Sequence, residues 1–158
     1  MSQVTSHRSQ VAGHRSQAVI YIFVGTLVVK VIGLNMGSIK SFEEFEVWIT
    51  AREITCMIYA MTKEKVFAGD FTLKNQIRSA STSIMSNIAE GYESQTESVF
   101  IRRLGIAKGS AGEVRSQLYA ALDQNYITKM EFCSLTELCK KVSRQIACLI
   151  SYLKCCNK

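Results

Sequence analysis

The chain has 158 residues and is 47% hydrophobic, which is enough for one domain with a real core and requires no second domain. Its formal net charge of +6 is uneven, because four basic residues and no acid give the first 40 positions +4, whereas positions 41–158 carry only +2. The charge is therefore weak evidence for nucleic-acid binding, and the absence of proline favours a mostly helical protein.

The first 35 residues are predicted to be a leader outside the fold. They contain an imperfect repeat, HRSQVAG then HRSQAVI, followed by an apolar run from Ala18 to Val29. A signal peptide or membrane anchor is one interpretation, but the run is shorter than the roughly 20 residues that span a bilayer. The favoured interpretation is that translation properly begins at Met36, so that residues 1–35 are upstream sequence read through or an appended leader, outside the natural protein or disordered. A chain that starts at Met36 is then expected to melt like the full chain.

Helix-start and helix-stop signals divide residues 36–158 into four predicted helices. The capping boxes at the starts of the first, third and fourth helices are Ser41 with Glu44, Ser94 with Glu97, and Thr128 with Glu131. The second helix is predicted from about Asp70 to Glu90, after a connection that begins at Thr62. Gly91 is interpreted as its left-handed stop.

Each predicted helix carries one apolar stripe at helical spacing, which marks its core-facing side. In chain order the stripes are Val47, Ala51, Ile54, Ile58 and Met61; Leu73, Ile77, Ala80, Ile84 and Ile88; Phe100, Leu104, Ala107, Ala111, Val114, Leu118 and Leu122; and Phe132, Leu135, Cys139, Val142, Ile146, Leu149 and Leu153. No segment alternates with a sustained period of two, so no sheet is expected. Four helices of roughly 20 to 28 residues with short loops predict an all-α, up-down-up-down four-helix bundle.

Two rows of small or short polar residues run beside these stripes. The second helix has Gln76, Ser79, Ser83, Ser86 and Glu90 with Asn87 beside them, and the third has Gly105, Gly109 and Gly112 followed by Ser116. An interior glycine costs a helix about 1 kcal/mol against alanine, so these rows favour close helix contacts within the fold or between subunits. The alternatives are a solvated serine-rich face and tolerated sequence drift.

No motif in the sequence indicates catalysis. Positions 41–158 lack histidine, which excludes Ser-His and Cys-His nucleophile pairs, and there is no P-loop or HExxH motif. Glu90 and Glu113 are more typical of salt-bridge partners than of a catalytic pair. No metal or cofactor is expected, because the six cysteines lack CxxC spacing; they are interpreted as small buried residues of a cytoplasmic protein.

Basic residues on the last two predicted helices are the candidate nucleic-acid contacts. They are Lys108 and Arg115 on the third helix, and Lys140, Lys141 and Arg144 on the fourth. The alternative is an ordinary solvated face, since Glu137 lies one turn before Lys141. Any binding is expected to be electrostatic and sequence-tolerant, because no zinc finger, helix-turn-helix or exposed aromatic platform is predicted beside these residues.

Three groups of motifs resemble a known family over about Met36 to Leu153. They are FEEFEVW at Phe42–Trp48, QIRSAS and SNIAEG in the second helix, and FIRRLGIAKGSAGEVRSQL in the third. Their order and spacing resemble those of the bacterial 23S rRNA intervening-sequence proteins. The resemblance implies a cytoplasmic four-helix bundle that assembles as a ring, with a homopentamer favoured.

The same resemblance suggests the kind of partner. The family is similar in architecture to the accessory variability determinant of diversity-generating retroelements, a basic pentameric bundle that binds a reverse transcriptase and nucleic acid. The chain is therefore expected to be a non-enzymatic homo-oligomer that binds RNA, DNA or a nucleic-acid-processing partner, without membrane contact. A structural or protein-binding adaptor is the alternative. The leader and the weak charge of the bundle depart from the family pattern.

Overall fold

The computed structural model describes residues 20–24, 27–31, 40–94 and 96–156, which belong to two compact units, 1–39 and 40–158. In the first unit, strands β1 (Ile20–Val24) and β2 (Leu27–Val31) pair antiparallel. The expectation that the chain holds no sheet is wrong for this hairpin, whose sequences are rich in the β-branched residues that favour extended backbone. The HRSQ repeat lies outside the described residues, and the effect of truncation at Met36 stays a prediction.

The second unit is all-α, as predicted. Its helices are α1 (Glu46–Met61), α2 (Lys65–Ala68), α3 (Phe71–Glu93), α4 (Glu97–Asp123) and α5 (Lys129–Cys156). The four long helices form an up-down-up-down bundle in which α1 and α4 each pack against α3 and α5. No helix among the described residues is long and apolar enough to cross a membrane.

The predicted apolar stripes form the core of the bundle, which confirms the period of 3.6 residues as the signal for the buried face. Every stripe residue is buried except Leu73, Leu122 and Phe132, which are half-buried. The connection after α1 contains the unpredicted short helix α2. Its Phe67 is fully buried and packs against Tyr126, with the ring centroids 5.1 Å apart.

The predicted capping box at Ser41 is wrong, because Ser41 precedes a single 3₁₀ turn (Phe42–Glu44) and makes no side-chain cap hydrogen bond. Helix α1 begins only after Phe45, which is 1% exposed. The Phe45 ring centroid lies 5.4 Å from that of Tyr92 and 6.2 Å from that of Phe100. The packing of this aromatic ring therefore sets the start of α1.

The predicted box at Ser94 is also wrong. Ser94 is the residue that ends α3, and its hydroxyl donates to the Gly91 carbonyl at 2.7 Å, whereas Thr96 precedes α4. The box at Thr128 is confirmed, since the Thr128 amide and hydroxyl both donate to Glu131 Oε2 at 2.7 Å. The Glu131 amide in turn donates to the Thr128 hydroxyl at 3.3 Å.

Candidate nucleic-acid interface

The polar row of α3 takes part in a hydrogen-bonded network with α4. The Ser83 and Ser110 hydroxyls are 2.9 Å apart, and Asn87 Nδ2 donates to the Ser83 carbonyl at 2.9 Å. Arg103 of α4 donates to Asn87 Oδ1 at 3.2 Å and forms an ion pair with Glu90 at 2.8 Å. Three residues of the predicted interface, Ser83, Asn87 and Glu90, therefore hold two helices together within the fold.

Gly91 is a contact residue inside α3, so its predicted role as a helix stop is wrong. The helix continues to Glu93, and Gly91 is buried. A Cβ added at Gly91 would lie 2.6 Å from Phe100 Cδ2 and 3.0 Å from Arg103 Cβ. The glycine is needed because α4 approaches the α3 backbone too closely for any side chain.

The remaining small residues of the two rows lie on the outside of the bundle. Ser79 and Ser86 are exposed, and so are Gly105, Gly109 and Gly112. An added Cβ at any of these three glycines would meet no heavy atom within 4 Å. The predicted close helix contact within the fold is therefore wrong for the glycine row, because the core side of α4 is the alanine side, at Ala107 and Ala111. A contact between subunits stays a prediction.

One side of α4 brings two predicted cations next to α5. Lys108, Arg115 and Tyr119 share a helical face, being spaced i, i+7 and i+11. The Tyr119 ring centroid lies 4.8 Å from that of Phe132 in α5, which places this face at the α4/α5 interface. The positive charge of Arg115 acts across it, because it contributes to lowering the pKa of Glu137. Lys108 is exposed and Arg115 is half-buried.

Helix α5 adds two more cations to this face. Lys140 Nζ lies 2.7 Å from Glu137 Oε1, and this hydrogen bond is the main reason that the pKa of Glu137 is below its ordinary value. The charges of Lys140, Arg144 and Arg115 lower that pKa further. We call Lys108, Arg115, Lys140 and Arg144 the basic strip. Three of its four cations act on Glu137, and four cations with this one acid leave the strip a net positive charge.

Lys141 is the one predicted cation that the structure does not place in the basic strip. Its Nζ lies 3.5 Å from Glu46 Oε1 of α1, so the side chain is directed towards α1 and not towards α4. Adjacent positions on a helix are about 100° apart around its axis, which explains why Lys140 and Lys141 lie on different faces of α5.

Tyr119 was missed by the sequence analysis. It is 54% exposed, so the expectation that no exposed aromatic accompanies the basic residues is wrong. The sequence could have indicated it, because Tyr119 lies one helical turn after Arg115 and therefore on the same face of the helix.

Among the described residues, no group of three or more His, Cys, Asp or Glu side chains is placed to hold a metal ion. The cysteines described therefore form no metal site there. The interpretation of the cysteines as buried is correct for Cys139 and wrong for Cys56, Cys133 and Cys155, which are exposed, whereas Cys148 is half-buried. The side chain of Cys156 lies outside the described part of the chain. Burial raises the pKa of Cys139 to about 12, which keeps this thiol protonated and unreactive.

The chain is similar to a known protein family and to a solved structure. The model of a family described as 23S rRNA-intervening sequence protein matches residues 43–148. A crystal structure from Bacteroides thetaiotaomicron, described as a protein with unknown function from the S23 ribosomal protein family, is 26% identical in sequence and superposes with a TM-score of 0.63. That match covers 66% of this chain and 95% of the other. No curated protein matches the chain.

Proposed function

Because the chain belongs to the 23S rRNA-intervening sequence protein family, we propose that it is a non-enzymatic, cytoplasmic, homo-oligomeric bundle that binds RNA or DNA. The observation that carries the proposal is the basic strip, in which three cations of α4 and α5, Arg115, Lys140 and Arg144, act on Glu137 and Lys108 continues the α4 face. Phosphate contacts need such clustered cations.

Several other cations of the bundle already have partners within the fold, although the exposed Arg52, Lys63 and Lys65 make no ion pair with a described residue. Arg103 binds Asn87 and Glu90, and Arg78 donates to the Thr62 hydroxyl at 2.7 Å. In contrast, Lys108 and Arg144 make no ion pair with any described residue. Their charges are available to a partner outside the chain.

The ring is the second part of the proposal, with a homopentamer favoured. A modest strip that is repeated on every subunit gives a bound strand several contacts at once, which raises the overall affinity. The exposed row Gly105, Gly109 and Gly112 and the exposed Ser79 and Ser86 are the proposed subunit contacts. A nucleic-acid-processing protein such as a reverse transcriptase is a further proposed partner, recruited to the nucleic acid that the ring holds.

A salt titration of fluorescent RNA and duplex DNA tests the basic strip. The strip variant carries Lys108→Gln, Lys140→Gln and Arg144→Gln, and the control carries Arg52→Gln, Lys63→Gln and Lys65→Gln at exposed positions elsewhere. Both variants lose the same net charge. We expect the strip variant alone to bind all sequences more weakly, with a log-log salt slope reduced by about 0.9 for each duplex phosphate that the variant no longer neutralises.

A gain of affinity provides the opposite test. Glu137→Gln removes the one acid that accompanies the strip, so we expect tighter binding and a steeper salt dependence. If the strip and control variants weaken binding equally, only net charge matters and the strip is not the site.

No binding by the unaltered protein at low salt would favour the alternative function, a structural or protein-binding adaptor. Light scattering reports the subunit number in the same samples, and a monomer would contradict the ring.

A further inference from the structure

Tyr119 is an aromatic side chain held at one end of the basic strip. Lys108, Arg115 and Tyr119 share one face along about 16 Å of the α4 axis, at 1.5 Å per residue. The Tyr119 and Phe132 rings meet edge to face, with 67° between their planes. Phe132 therefore supports the tyrosine from α5, while 54% of Tyr119 stays exposed.

Charge and aromatic surface together favour one form of nucleic acid. In a duplex the bases stack on one another, so a tyrosine on a helix face meets the backbone before it meets a base. A single strand presents its bases freely, and proteins bind it with cations along the backbone and aromatic rings under the bases. We infer that the basic strip binds single-stranded nucleic acid and that Tyr119 stacks on one of its bases. This inference rests on the proposed function, because it assumes that the strip contacts phosphates.

Other exposed aromatic residues lack this setting. Phe71 is 69% exposed, but the ammonium of Lys74 lies 4.2 Å from its ring centroid and also donates to the Ala68 carbonyl. Tyr59 is 39% exposed, with the Arg78 guanidinium 4.7 Å from its ring centroid. The nearby cations of both rings are thus occupied within the fold. Tyr119 is the exposed aromatic that adjoins the cations of the strip.

The test compares a short labelled oligouridylate with a labelled duplex at fixed low salt. The variants are Tyr119→Leu, which removes the ring, Tyr119→Phe, which keeps it, and Phe71→Leu, which removes an exposed ring elsewhere. Removing the stacking of one base lowers affinity by about 5- to 140-fold. We expect Tyr119→Leu to lose affinity in this range for the single strand alone, and the other two variants to bind like the unaltered protein. Circular dichroism checks that each variant is folded.

The outcomes separate this inference from the proposed function. If Tyr119→Leu binds the single strand normally while the strip variant does not, the basic strip is supported as the binding site and the stacking role of Tyr119 is wrong. An equal decrease for single strand and duplex would also overturn the inference, since stacking on a free base cannot act on a duplex. If the unaltered protein binds neither probe, the proposed function fails and the inference fails with it.

Discussion

Helix α4 uses polar side chains on both flanks, and the two flanks differ in where those side chains find partners. At the α3/α4 interface, Arg103 is held by Asn87 and Glu90 of the same chain. At the α4/α5 interface, Arg115 lies among further cations and near one acid, Glu137. A cation with a partner within the chain contributes to the fold, whereas a cluster with excess charge is available for binding.

Two glycine substitutions, one in α3 and one in α4, should give the largest difference in the free energy of unfolding. Gly91→Leu places a side chain where Phe100 and Arg103 already lie, and overpacking of this kind costs about 3 kcal/mol of unfolding free energy. Gly109→Leu adds a side chain whose Cβ has open space around it and replaces a poor helix former, so it should stabilise a single subunit by up to about 1 kcal/mol. Urea unfolding followed by circular dichroism, at low protein concentration, measures both values.

The same pair of variants tests the exposed glycine row as a subunit contact. If Gly109→Leu stays folded but dissociates in light scattering, the row lies between subunits. An unaltered oligomer would instead place the row in solvent. A Gly91→Leu protein as stable as the parent would contradict the close approach of α3 and α4.

The next contrast is between a hydrogen-bonded side chain in the α3/α4 network and an exposed ion pair in the strip. Asn87 is 8% exposed and has partners on both helices, so Asn87→Ala should lower the free energy of unfolding by about 1 kcal/mol. Lys140→Ala breaks only an exposed pair, which normally contributes little. Thermal unfolding of both variants tests this order, and an equal decrease in stability would mean that the strip is also structural.

The repeating signals in the sequence were sufficient to predict the bundle. Four stripes with a period of 3.6 residues identified the core, because burial of an apolar face depends on side chains one turn apart along the same helix. The family was also recognised from its motifs, and the family model confirms it. These features depend on local spacing, which a sequence shows directly.

Features that depend on distant residues were not predicted correctly. The start of α1 depends on Phe45 packing near Tyr92 and Phe100, and Gly91 is buried because Phe100 packs on it. In the same way, the sequence groups Lys141 with Lys140, whereas the ion pair with Glu46 places Lys141 on another face. To predict a site made by two helices, one must know how the helices are rotated relative to each other. The periodicity of the sequence does not give this rotation.

The smallest predicted effect distinguishes two carboxylates of α5 by the groups that stabilise them. The pKa of Glu131 is lowered mainly by the backbone amide of Thr128, whereas that of Glu137 is lowered mainly by Lys140. A carboxylate with a lowered pKa in the folded state stabilises the protein at neutral pH. This stabilisation is lost as the pH falls from about 4.3, which is the pKa of glutamate in the unfolded chain, through the lower pKa of the carboxylate in the folded protein.

We therefore expect Glu131→Gln to cost about 0.5 kcal/mol at pH 7, a small value because solvent screens the group, and to approach the stability of the parent as the pH is lowered towards about 3. Urea unfolding at both pH values measures the difference. Glu137→Gln is the matched control, since its effect should fade in high salt as an exposed ion pair does, whereas the backbone contact of Glu131 should persist. A Glu131→Gln deficit that is unchanged at pH 3 would show that the charge of the carboxylate does not stabilise the start of α5.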